Sequence, residues 1–121
     1  MHEEPGGRLR FQALRSDPEV FILARLVAEE RGVSLTKMLR RSRGSGRAAS
    51  ARQLAIYLSH VLLERPQDVV AYLFSRDRST VAHSVQAVED RRETPSLEAE
   101  IGRIEAQYQE TMQTRELRHA A

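Results

Sequence analysis

The stretch Ser75-Arg76-Asp77-Arg78-Ser79-Thr80-Val81-Ala82-His83 limits this chain more than any other. Before it, Val69, Val70, Leu73 and Phe74 recur at helical spacing. They follow Arg65-Pro66-Gln67-Asp68, a helix start with proline at the first helical position. From Val81 onward, Val81, Val85 and Val88 stand at i, i+4 and i+7, a stripe that faces a core. Asp77 or Ser75 is placed to cap this second helix by accepting from free backbone N–H groups. Two short helices joined by so tight a turn have the layout of a helix-turn-helix. At about 100° per residue, the face opposite the valines carries Ser79, His83 and Gln86. Arg78, Ser79 and Thr80 fill the first turn. Side chains so placed reach base edges and phosphates when a helix N-terminus enters a major groove. An ordinary solvated helix would show the same polar face, so the rest of the chain must decide.

Charge distribution favours a polyanion. Residues 31–63 contain seven cations (Arg31, Lys37, Arg40, Arg41, Arg43, Arg47, Arg52) and no acid. From Glu93 to the end, six glutamates face three arginines. The net charge of +2 is small, but a basic run beside balanced segments is an electrostatic footprint for nucleic acid. All but one of the 19 lysines and arginines are arginine, whose fork suits phosphate and guanine better than an ammonium does. A solvated loop is the alternative for such a run. The complete lack of acids points instead to contact with DNA through Arg41, Arg43, Arg47 and Arg52.

The remaining chain reads as helices. Residues 1–16 hold Gly6-Gly7 and scattered arginines and read as a disordered tail. Asp17-Pro18 caps and opens a helix that buries Val20, Leu23 and Val27 and stops at Gly32. Ser34 caps a short second helix with Leu35, Met38 and Leu39 inward. Arg41-Ser42-Arg43-Gly44-Ser45-Gly46-Arg47 has loop composition. Ser50 and Gln53 match a capping box, opening a third helix with Leu54, Leu58, Val61 and Leu62 on one face. His60 reads as a surface histidine. Thr94-Pro95 opens the last helix, whose stripe of Leu97, Ile101, Ile104, Tyr108 and Met112 packs back on the same domain. The expected division is a tail over 1–16, one domain over 17–113 and a frayed tail over 114–121.

Other chemistries find little support. Cysteine is absent, so there is no disulfide framework and no thiol nucleophile. No apolar run approaches the roughly 20 residues needed to span a bilayer. There is no glycine-rich phosphate loop and no cluster with metal-ligand spacing. Ser79 and His83 could pair as nucleophile and base, but no acidic orienter is evident. No catalysis, metal, cofactor or small-molecule substrate is expected.

From about Val20 to Met112 the chain resembles the C-terminal DNA-binding domain of the bacterial replication initiator DnaA. Val27-Ala28-Glu29, Val33 and Met38-Leu39 look like that family's leading helix and short second helix. Arg41-Ser42-Arg43 followed by Arg52-Gln53-Leu54-Ala55-Ile56-Tyr57-Leu58 is similar to its basic loop and "pRQiAmyL" helix. Arg76-Asp77-Arg78-Ser79-Thr80-Val81-Ala82-His83 resembles its signature "RDHTTVxHA". The resemblance implies an all-α, Trp-repressor-like helix-turn-helix bundle of about six helices. It implies base contacts from Asp77, Ser79, Thr80 and His83, with Arg76 also in the signature. A minor-groove arginine falls on Arg41 or Arg43. The sequence departs from the family at Arg78, where the family has histidine, at Ser79, and at the single Ser75 before Arg76. An ATPase domain does not accompany the match within these 121 residues.

The expected function is sequence-specific binding of double-stranded DNA at a DnaA-box-like site. The expected setting is a stand-alone regulator of transcription or replication initiation, cytoplasmic and nucleoid-associated, acting as a monomer or weak dimer. Two other classes compete: a protein-interaction module that regulates the initiator, and a membrane-surface binder built on the amphipathic, basic-ended segment 20–43. Glu29 and Glu30 oppose the membrane reading.

Overall fold

A computed structural model of the chain describes residues 7–40 and 46–120. Among these the structure is all-helical. Seven helices follow in order: α1 (Gly7–Arg15), α2 (Pro18–Arg31), α3 (Leu35–Leu39), α4 (Gly46–Val61), α5 (Gln67–Phe74), α6 (Arg78–Glu89) and α7 (Pro95–Ala120).

Local chemistry sets several ends where the sequence places them. Asp17 caps α2, its carboxylate accepting from the Val20 N–H at 3.3 Å, and Pro18 is the first helical residue. Gly32 closes α2 at φ 67°, a left-handed conformation that costs glycine little. Ser34 Oγ accepts from the Lys37 N–H at 3.1 Å and opens α3.

α4 is the hub. Ala51, Leu54, Ala55, Ile56, Tyr57 and Leu58 are all buried, so nearly its whole circumference is covered. α2 packs on one side of it and α6 on another, while α7 lies along α2. Phe74, Leu23, Met38, Leu54, Ile56 and Ile104 sit at the centre of one continuous core. The α7 stripe docks as its spacing predicts, with Ile101, Ile104 and Tyr108 buried and Leu97 and Met112 half-buried. Arg31 strengthens this seam: its Nε and Nη2 donate to the two Glu100 oxygens at 2.6 and 2.8 Å, and its Nη1 to Ser50 Oγ at 2.6 Å.

The structure departs from the sequence reading at several points. The tail over 1–16 is overturned at residues 7–15, which form α1; residues 1–6 lie outside the described residues. α1 folds because it buries Ala13 and Leu14 while packing on neighbouring α2 and on α5, which lies far along the chain. The frayed tail over 114–121 is helical through Ala120, although Leu117 stays 69% exposed. The capping box at Ser50 is not formed, because α4 starts four residues earlier at Gly46 and the Ser50 hydroxyl serves Arg31. Pro66 stands at the N-cap of α5 instead of inside it. Val85 is only half-buried; Val81, Ser84 and Val88 form the inner stripe of α6.

His60 is also more than a surface group. Its Nδ1–H donates to the Arg65 carbonyl at 2.8 Å, within a strap where Arg65 grips Asp17 and Glu19.

Candidate nucleic-acid interface

The helix-turn-helix is α5, three turn residues and α6. Ser75 ends α5 in the left-handed region at φ 54°, and the Arg76 N–H reaches back to the Ala71 carbonyl at 2.9 Å. This six-to-one bond is the Schellman closure, normally made around a glycine. Ser75 therefore terminates α5 and does not cap α6. Asp77 holds the N-cap position of α6, but its exposed carboxylate makes no capping bond. That carboxylate stands at the positive end of the helix dipole with its acceptors uncommitted to the cap.

α6 divides cleanly by burial. Val81, Ser84 and Val88 turn to the core. Arg78, Ser79, His83 and Gln86 are exposed, and Thr80 is half-exposed. Ser79, His83 and Gln86 therefore share the outer face predicted for them, with Arg78 at its leading end. Gln86 Nε2 donates to Asp90 Oδ1 at 2.8 Å, so its amide is already oriented at the far end of that face.

The basic segment splits into two kinds of arginine. Arg47 is exposed in the first turn of α4. Arg52 is half-buried and donates from Nη1 to the Met38 carbonyl at 3.1 Å, and burial lowers its pKa. Arg76 likewise faces inward. Its Nη1 donates to the Phe74 and Ser75 carbonyls at 3.3 and 3.2 Å, and its Nη2 to the Leu39 and Arg40 carbonyls at 3.5 and 2.7 Å. Arg41 and Arg43 lie outside the described residues. Arg40, directly before them, is thus held beside the turn of the helix-turn-helix. Lys37, absent from the sequence-based set of contacts, is exposed on the same short α3.

The described residues hold no group of three or more His, Asp or Glu side chains able to bind a metal ion. None of the described helices is long and apolar enough to cross a membrane. No curated protein matches the chain. Residues 22–88 match the bacterial DnaA protein helix-turn-helix family, a span that runs from within α2 to the end of the α6 inner stripe and takes in every turn residue described above. The chain belongs to that family, whose domain binds DNA through its helix-turn-helix.

Proposed function

We propose that this protein binds double-stranded DNA site-specifically, with α6 in the major groove and the basic segment on the flanking backbone or minor groove. It acts in this reading as a stand-alone regulator of replication initiation or transcription, on DNA resembling the initiator's box. The observation that carries the proposal is the exposed edge formed by Asp77, Arg78, Ser79, His83 and Gln86 on a helix whose other side is fixed in the core. Those side chains offer acceptors and donors at a helix N-terminus, the usual site of base reading in such motifs.

Roles follow from chemistry. Asp77 accepts from a cytosine amino group, Arg78 forks onto a guanine or a phosphate, and Thr80 offers a methyl to thymine. Ser79, His83 and Gln86 complete the helix's contacts. Arg47, with Arg41 and Arg43, supplies charge to phosphates or the minor groove. Selection of bound duplexes from a random pool tests the proposal. One enriched motif is expected; a protein that binds every duplex equally would refute site-specific reading.

A further inference from the structure

We infer that a cleft between α2 and the C-terminal half of α7 binds a compact anion carrying several phosphates. The inference goes beyond the DNA reading above and does not rest on it. The cleft has a volume of about 560 Å³, within the range of small-molecule sites. Arg25 enters it from α2, and Arg115 and Arg118 enter from α7. Among the described residues Glu110 is the one carboxylate in the lining, so the cleft is net positive. Arg31, Arg65, Arg92 and Arg103 each meet a carboxylate elsewhere in the domain. Among the described residues, the guanidinium groups of Arg25, Arg115 and Arg118 have no ion-pair or hydrogen-bond partner, and Glu110 in the same cleft pairs with none of them. Arg115 is half-buried, so its charge gives up part of its hydration without an ion pair in return. The dipole of α7 favours cations in its last turn, which accounts for Arg118 but not for Arg25 on another helix.

The lining selects the ligand. Arg115 and Arg118 stand at i and i+3 and share a face of α7, with Arg25 across from them on α2. Thr111 and Thr114 add hydroxyl donors. Forks and hydroxyls converging from two helices match the oxygens of phosphate groups. Among the described residues no aromatic side chain lines the cleft to stack a nucleobase, so the phosphates alone are recognised. α6 packs on α4 and α5, whereas the cleft belongs to α2 and α7 and lies outside the helix-turn-helix. An inorganic triphosphate concentrates its charge within one such cleft, whereas a duplex spreads its phosphates along a rod.

The test is titration of the full chain with sodium tripolyphosphate at fixed ionic strength, followed by calorimetry and by NMR. Wild type should saturate at one site, and the amide signals of Arg25 and residues 111–119 should move most. Arg25→Gln and Arg118→Gln alter exposed side chains, so their thermal melts should stay near wild type. Each should weaken binding about tenfold, the loss expected for one charge-assisted hydrogen bond. Arg91→Gln, which removes an exposed arginine outside the cleft, should not. Equal weakening by Arg91→Gln would mean diffuse charge attraction and would overturn the inference. If the largest signal changes fall on α6, the anion binds there and the inference fails, even with every variant folded. Titrations with duplex DNA and with phosphatidylglycerol vesicles separate the remaining sources of phosphate. Binding of either one through Arg25 and Arg118, with no saturable binding of tripolyphosphate, would assign the arginines to a macromolecule or a membrane and overturn the small-anion site.

Discussion

The Tyr57 phenol donates a 2.7 Å hydrogen bond to the Glu89 carboxylate, joining the buried face of α4 to the last residue of α6. Burial first, and the acceptor carboxylate second, raise the phenol's pKa above its ordinary value, so it remains a donor at neutral pH. The far end of α6 is thereby pinned to the hub.

Tyr57→Phe removes that pin and leaves the ring. Glu89 is exposed and can rehydrate, so the loss should stay near the low end for a hydrogen bond, about 1 kcal/mol. A thermal melt should show the midpoint falling by a few degrees, with the cooperative transition retained.

Asp17 predicts a pH dependence. Its oxygens meet Arg65 at 2.7 and 3.2 Å, and those hydrogen bonds hold its pKa below the ordinary carboxylate value against the opposing effect of burial. A carboxyl with a depressed folded pKa stabilises fully above its unfolded pKa of about 3.9 and loses that contribution as pH falls through the folded value. Asp17→Asn keeps a good helix cap but no charge. The stability gap between wild type and Asp17→Asn, from urea melts, should be constant above about pH 5 and close as the pH drops below 4. A gap that persists in acid would assign the stabilisation to something other than the ion pair.

Leu14→Ala tests whether α1 belongs to the core. Leu14 has no exposed surface, so truncation should cost about 2–5 kcal/mol. The half-buried Val85 and the fully buried Val81 should separate in the same assay. Val81→Asp places an unpaired charge in the core and should abolish the folding transition, whereas Val85→Asp should weaken it. Equal melts for the two valine variants would show the α6 facing to be wrong.

Arg78→His restores the residue that the resembling initiator family carries. If Arg78 reads a base, the selected motif should shift toward that family's box, with a discrimination of about 1–3 kcal/mol at one position. If it grips phosphate, affinity should fall for all duplexes and the salt slope should flatten by about one. Identical motifs and equal salt slopes would leave Arg78 without a role in binding.

Features governed by near neighbours were legible in the sequence. Asp17, Gly32 and Ser34 act within a few residues of themselves, and each does what its position predicts. The outer face of α6 follows from helical period alone. Features decided by distant partners were not legible. Ala13 and Leu14 look like stray apolar groups in a glycine- and arginine-rich tail until α5 is placed against them. Ser50 fits a capping pattern, but Arg31 claims its hydroxyl. Val85 and Ser84 differ by one residue, too little for a three-valine stripe to choose which is deeper. Arg52 reads as a DNA contact through the charge of its run, and Arg76 through the signature it belongs to; neither charge nor motif carries direction, and only the fold reveals the carbonyls both face.

The place of α1 also sets an order of events in folding. Its main packing partner, α5, lies beyond the whole of α2, α3 and α4 in the chain. Closing so long a loop costs entropy that the assembled α5 surface offsets. A helix of nine residues is marginal by itself in water. The segment that precedes all the others in sequence is therefore expected to dock on α5 late, giving the helix-turn-helix its final backing after the helices between them have come together.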